Sequence, residues 1–525
     1  MKTLAKISPK HDVSRDALIA SLEEKVQSLE QQLDWFKRQL FGEKSEKFDM
    51  TDNPYQQTIA DVLGQLPELP ANTASEKETI TYQRGKAKKN ALEGSPEDSG
   101  LRFDDSVPVE EIILPSPELE GPDAGDYEVI GTKNTYRLAE RPGRQLVLKY
   151  IRKVLKKKST QAIITPAAPS NVLDKSFADV SFLAGLLIDK FCYHLPLYRQ
   201  HQRLEQNGFK IARSTLTHLG QRSIELLKPI AEAQLKNILL SKTLAMDETP
   251  IKAGRQKKGK MKQAYFWPIY GEQDEVAFTF STSRGMKQIE NYLGDFNGTL
   301  LTDGYKAYEQ FQKNKPEITH AQCWAHNRRY YEKSKEAEPE MAAIALAYIA
   351  RLYVVEQRIR DNHLTGEAKL KYRVTHSKPI VDAFMNWCYQ QRQRIDLIKS
   401  NPLSKALAYT MKRVDALKVF LGDPDVPIDT NHLERALRVI PMGRKSWLFC
   451  WSEFGAEQVG IIQSLLVSCK MHDVNFYDYL VDVLQRVSEH PASKVIELTP
   501  RVWKSQFAHA PMRSDITQLV KNGLE

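Results

Sequence analysis

The sequence predicts an α/β protein: a mixed sheet with helical crossovers and a large helical insertion, preceded by a helical region and a coiled coil. Three observations carry this. Hydrophobic periodicity changes from helical to strand-like near residue 240. Apolar strand runs then alternate with helical stretches to about residue 338. Near the N-terminus, apolar residues repeat at steps of three and four from about Asp16 to Gly42, the seam along which helices pair.

That seam is Ile19, Leu22, Val26, Leu29, Leu33, Phe36 and Leu40, with Glu23, Glu24, Lys25 and Glu30 outside it. A self-associating coiled coil is expected over 16–48, because no strongly apolar partner segment follows nearby; an amphipathic helix packed on its own domain is the alternative. Residues 49–126 read as a linker holding at most a small strand-rich unit, rich in Pro, Gly and Ser and switching from basic "QRGKAKKN" to acidic "LEGSPEDSG". Residues 127–165 read as a small basic β unit with a hairpin about Arg141-Pro142-Gly143, ending in Lys149, Arg152, Lys153 and Lys156. Those cations are either a solvated face or phosphate contacts.

Residues 175–236 are expected to be helical. "LPLYRQHQRLEQNGFKIARSTLTHLGQR" reads as helix, turn at Asn207-Gly208, helix, with Arg213, His218 and Arg222 on the second helix. Such a helix-turn-helix can place its second helix in a major groove, though many helical hairpins look alike.

The totals narrow the function classes. A hydrophobic content of 41%, a charged content of 27% and a net charge of +9 fit a globular protein with a polyanionic partner. No apolar run is long enough to span a bilayer and no signal peptide is evident, so a cytoplasmic location is expected. The five cysteines are scattered, against a disulfide scaffold or zinc ribbon. No Gly-rich phosphate loop suggests ATP use.

The chemistry is expected in the core over 240–338. "KTLAMDETPIKAG" reads as a strand ending near Asp247, followed by strands in "QAYFWPIYG" and "EVAFTFSTSR". After a helix, "GTLLTDGYKAY" is a buried strand ending at Asp303, and "EITHAQCWAH" is a fifth strand. If the first and fourth strands are neighbours, both aspartates project into one crevice. There they repel each other unless a cation lies between them. Such oxygen ligands suit Mg²⁺ or Mn²⁺ and the displacement of a phosphodiester oxygen.

Residues 339–428 read as a helical insertion and 429–450 as the segment completing the core, with "DTNHLERALRV" at its start; 451–525 read as a C-terminal helical region. Glu434 has two readings. Asn431-x-x-Glu434 has the spacing of a capping box, and Glu434 to Arg438 that of an i,i+4 ion pair. Alternatively its helix swings Glu434 into the crevice as a third ligand. Cations expected to meet DNA are Lys257, Lys258 and Lys260 beside the first aspartate, Arg328 and Arg329 after the fifth strand, and Arg438, Arg444 and Lys445. His320, Cys323 and His326 have soft-metal spacing but cannot easily converge, so packing or DNA-proximal roles are preferred. Trp324, Trp447 and Trp451 are expected in the core.

Taken together, "LFGEKSEKF", "LAMDETPI", "LLTDGYKAY", "CWAHNRRY", "NHLERALRVIPMGRKSWLF" and "SLLVSCKMHDVNFYDYLVDVL" resemble the bacterial transposases of the insertion-sequence-sixty-six family, in order over nearly the whole chain. The resemblance implies an RNase H-like core and an Asp-Asp-Glu triad at Asp247, Asp303 and Glu434. It also implies Mg²⁺ or Mn²⁺ dependence and action on the DNA ends of a mobile element. A leucine zipper joining protomers and accessory proteins of the same element are implied too. One departure is that residues 50–160 contain no cysteine, where many relatives carry a zinc-binding unit. A non-catalytic DNA-binding relative and a host nuclease of the same fold are the competing readings.

Overall fold

The computed structural model describes residues 101–517 except 106, 142 and 143, together with Val26, which is helical. Contacts divide the chain into Met1–Pro96 and Glu97–Glu525, and two β-sheets belong to the second unit. Apart from Val26, the coiled coil expected over 16–48 lies outside the described residues, as does most of the linker expected over 49–126.

The first sheet contains β1 (Val109–Ile113), β2 (Tyr127–Arg141), β3 (Arg144–Lys157) and β4 (Ile163–Ile164). The hairpin of β2 and β3 closes with Arg141 opposite Arg144. β1 joins the other edge of β3 in parallel, so the segment read as linker contributes a strand. Its acidic residues hid it: Glu111 lies opposite Lys149, whose Nζ donates to Glu111 Oε1 at 2.8 Å. A cross-strand ion pair fits the charge there to a strand.

Three helices follow: α1 (Val180–Phe191), capped by Asp179, α2 (Leu197–Gln206) and α3 (Arg213–Ile238). Gly208, with φ +86°, turns the chain between α2 and α3, a conformation open to glycine without strain. The first turns of α3 are exposed at Arg213, Ser214, Thr217 and His218, while its far end is buried. There Gln234 Nε2 donates to the carbonyls of Val276 and Ser464. A single helix therefore runs from an exposed hairpin into the main core.

The second sheet contains β5 (Thr243–Met246), β6 (Thr249–Lys257), β7 (Lys260–Tyr270), β8 (Val276–Ser281), β9 (Thr299–Thr302) and β10 (Thr319–Gln322), with α4 (Met286–Leu293) and α5 (Lys306–Asn314) as crossovers. Its order is β10-β9-β5-β7, with β6 and β8 on opposite edges of β7. Met246 lies opposite Ile269 and Thr249 opposite Phe266, so β5 and β6 keep one register across Asp247 and Glu248. The stretch read as a single strand is thus one line broken at these two acids. Pairing of β5, β9 and β10 is parallel; pairing around β7 is antiparallel.

Beyond the sheet come α6 (Trp324–Glu332), then α7 (Pro339–Asp361), α8 (Gly366–Gln391), α9 (Pro402–Met411) and α10 (Val414–Lys418). The chain returns through α11 (Asn431–Leu437) and α12 (Val439–Trp447), and continues into α13 (Glu453–Met471), α14 (Phe476–Arg486) and α15 (Pro500–Gln506). The core does not close at 450, because α13 packs on the edge strand β8. The N–H of Phe278 donates to Ser464 Oγ at 2.8 Å, and that of Val276 to Ser468 Oγ at 3.3 Å. Two hydroxyls four residues apart thereby satisfy edge donors that would otherwise be open to another strand. Among the described residues no helix is long and apolar enough to cross a membrane.

Candidate active site

Asp247 follows β5 and Asp303 follows β9. Thr243 pairs with Thr299, and continuing this parallel register puts the two aspartates level at neighbouring strand ends. Asp247 is half-buried. Burial first, then the carboxylates of Glu248 and Asp303, push its carboxyl up to about 8, with a smaller push from Glu434. Its Oδ1 accepts from the N–H of Glu248 at 2.8 Å, and Asp303 Oδ1 accepts from that of Tyr305 at 2.8 Å. Both carboxylates are therefore fixed by the turn that follows each strand.

Glu434 lies on α11, and the capping-box reading of it is not what is built. Thr430 is the N-cap, without a side-chain cap bond, and Asp429 accepts instead from Asn431 N at 3.0 Å and Asn431 Nδ2 at 2.6 Å. Glu434 turns to Arg329, whose Nη2 donates to both carboxylate oxygens. His326 Nε2 stands 3.8 Å from Glu434 Oε1. His326 Nδ1 is buried without a hydrogen-bond partner. Asp247 and Glu434 line one open cleft with Arg329, Arg435 and Arg438. In this arrangement, no group of three His, Cys, Asp or Glu side chains among the described residues is gathered closely enough to hold a metal ion. Glu434 faces its arginine rather than the aspartates.

The donor set nevertheless suits a hard divalent cation. Burial beside other acids raises the Asp247 carboxyl, and a cation would relieve that repulsion. Arginine competing for Glu434 is the kind of contact a cation can replace.

Several residues that shape the site escaped sequence reasoning. Glu248 is buried, held by Arg284 Nε at 2.9 Å and by the Tyr308 hydroxyl at 3.1 Å. Burial raises its carboxyl, offset in part by Arg284. Its only signal is its place directly after Asp247. Cys323 seats the returning chain: its Sγ accepts from Thr430 N at 3.3 Å and Thr430 Oγ1 at 3.2 Å, and Trp324 N donates to Ile428 O. The fifth strand therefore holds the start of the Glu434 helix. His320 bonds Thr302 instead and Cys323 bonds Thr430, so the three soft-metal candidates are engaged separately.

The helical insertion supports the site as well. Tyr409 lies against Gly304, where a Cβ would fall 2.4 Å from its hydroxyl. Arg413 Nη2 donates to Gly304 O at 3.0 Å. Both contacts press on the turn that carries Asp303.

The cations expected to meet DNA divide by environment. Lys257, Lys258, Lys260, Arg213, Arg438 and Lys445 are exposed. Lys153 and Lys156 are half-buried, and Lys149 is paired with Glu111. Arg222 is exposed but donates to Asp174 O, Arg444 donates to Pro250 O, and Arg328 pairs with Glu332. Arg152 is corrected: it is buried, donating to Pro166 O and Thr135 Oγ1, because its alternation along β3 points it inward.

The candidate site thus consists of two carboxylates level at parallel strand ends and a helix-borne glutamate that lines a cleft with Asp247 and three arginines. Comparisons with known proteins give the class of enzyme. The family model described as "Transposase IS66 family" matches residues 175–458, and the "IS66 C-terminal element" matches 464–501. A third, "Transposase C of IS166 homeodomain", matches 28–112. The chain belongs to the IS66 family of transposases, DNA-acting enzymes of the DDE type. An uncharacterized protein of Sinorhizobium fredii, y4hP, is 26% identical over 517 residues, covering 93% of this chain and 90% of its own. A second from that organism, y4qI, is 28% identical over 411 residues, 75% of each chain. The homeodomain description falls on 28–112, upstream of the hairpin at 195–222 that the helical pattern favours for DNA binding.

Proposed function

We propose that Asp247, Asp303 and Glu434 are the catalytic carboxylates of this transposase, on a sheet of the RNase H-like type. One observation carries the reading: two aspartates stand level at the ends of paired parallel strands, and Glu434 lines one cleft with the first of them, Asp247. The sheet order, an antiparallel meander extended by two parallel strands, supports the fold assignment. Asp247, Asp303 and Glu434 would hold Mg²⁺ or Mn²⁺, which supplies Lewis acidity and activates a water or DNA 3′-hydroxyl. Asp247 and Asp303 are oriented by their following N–H groups. Arg329 holds Glu434 and also donates to His326 Nε2 at 3.0 Å, and the cleft arginines offer charge to the scissile phosphate.

In this reading the coiled coil joins protomers so that two element ends are held together. The hairpin of α2 and α3, the segment 28–112 and the basic strands bind the ends. Accessory proteins of the same element take part, and the enzyme acts in the bacterial cytoplasm on DNA. The test is cleavage of a DNA carrying an element end, with Mg²⁺ present. Asp303→Asn should lower the rate by about a thousand-fold or more, as loss of several kcal/mol of charge stabilisation requires. Wild-type protein that binds ends but never cuts, with accessory proteins supplied, would favour a non-catalytic binder.

A further inference from the structure

The chain leaves α12 through a strained turn. Leu448 has φ +63° and ψ −52°, and the N–H of Phe449 donates to Trp447 O at 2.7 Å. This is a γ-turn with positive φ around a residue other than glycine, a rare and costly conformation. It sets the chain against β6, where Cys450 N donates to Lys252 O at 2.9 Å and Gly254 N to Cys450 O at 3.1 Å. Pinned there, the segment presents apolar side chains to solvent. Trp451 is 74% exposed and Leu448 66%. The Phe449 ring meets that of Trp451 edge-on, with centroids 5.1 Å apart. Trp451, expected in the core, is thus a surface residue, whereas Trp324 is fully buried.

The surroundings are cationic. Lys252, Arg255, Lys257, Lys258 and Lys260 on the β6–β7 hairpin are exposed, and none has an ion-pair partner among the described residues. Lys262 is engaged by Glu453 at 2.7 Å. Phe449 lines an open pocket with Lys252, Lys260 and Lys262. An exposed ring, Trp451, with the half-buried Phe449 beside it and uncompensated cations around it, matches a polyanion that carries flat, unstacked bases. An apolar protein partner would cover the rings but leave these charges desolvated and unpaired. Lys252 lies five residues past Asp247 on one strand line, about 17 Å away at full strand rise, a span of a few nucleotides.

We propose that Trp451, with Phe449, is a stacking platform for unpaired bases of the DNA strand being processed, its backbone followed by the hairpin cations. The proposal rests on the chain acting on DNA and not on the carboxylate assignment.

Full-length protein is titrated into a fluorescently labelled oligothymidylate and into a blunt duplex of equal length, with binding read by anisotropy. Trp451→Ala should weaken oligothymidylate binding about 5- to 100-fold, the span of one base–aromatic stack, with duplex binding changed less than about twofold. Trp451→Phe should recover most of the loss. Unchanged oligothymidylate affinity in Trp451→Ala overturns the proposal. So does an equal loss on both DNAs, or a change confined to the sedimentation of the protein, which would make the rings a contact with a second copy. Oligothymidylate binding is read without divalent metal and without cleavage, so failure here is distinct from failure of the catalytic reading.

Discussion

In the helical insertion, Arg373 is fully buried with Glu356 against it, Nε and Nη2 each donating to a carboxylate oxygen at 2.9 Å. Its Nη1 also donates to the carbonyls of Phe420, Asp423 and Val426. In the cleft, burial first and then the carboxylates of Glu248 and Asp303 drive the Asp247 carboxyl up to about 8. The two regions bury charge to different ends. The first balances every charge and ties the loop that leads to α11. The second gathers like charges, a cost that folding alone does not repay and that a bound cation would reverse.

Breaking the balanced region should have the larger effect on stability. Arg373→Met leaves Glu356 buried without its cation and three carbonyls without a donor. A loss of about 3–5 kcal/mol is expected in denaturant unfolding. A loss below about 1 kcal/mol would mean that water replaces the guanidinium.

A third carboxylate sharpens the contrast because it is only partly balanced. Burial, with Asp189 adding to it, raises Glu140 to about 7, while Arg203, itself engaged by Asp189, lowers it less. The folded pKa lies above the unfolded one. Its contribution to stability is therefore full below about pH 4.5 and lost as pH rises through about 7. Glu140→Gln should remove this dependence and stabilise the protein near pH 8 by on the order of 1–3 kcal/mol, read from unfolding midpoints across pH. Parallel wild-type and variant profiles would contradict it.

The smallest effect is expected from relieving the cleft. Without divalent ions, Asp247→Asn should raise the melting temperature by about 2–4 °C while destroying cleavage. A lower melting temperature would mean that Asp247 is structurally needed. Added Mg²⁺ should stabilise wild type more than this variant.

Much of the catalytic sheet is legible in the sequence because its strands are short, apolar and end in an acid followed by a turn, as at Asp303-Gly304. The interruption at Asp247-Glu248 is not, since a strand broken by two buried acids reads as one that ends. β1 is hidden by glutamates whose partner lies across the sheet. Glu434 could be read as a cap or a ligand from spacing alone, because both need an acid in the first helical turn. What turns it toward Arg329, and what anchors Thr430 on Cys323, are contacts over a hundred residues apart in sequence. Trp451 misled for a related reason: tryptophan usually lies inside, and only the turn at Leu448 puts this one out.

The central claim is that Glu434 acts with Asp247 and Asp303 in one reaction. Its most direct test is end cleavage and strand joining by purified protein on DNA with element ends, in Mg²⁺, comparing wild type with Glu434→Gln. The account predicts that the variant binds the ends and neither cuts nor joins them. Cleavage retained by the variant would remove Glu434 from the site and leave it as the partner of Arg329 alone.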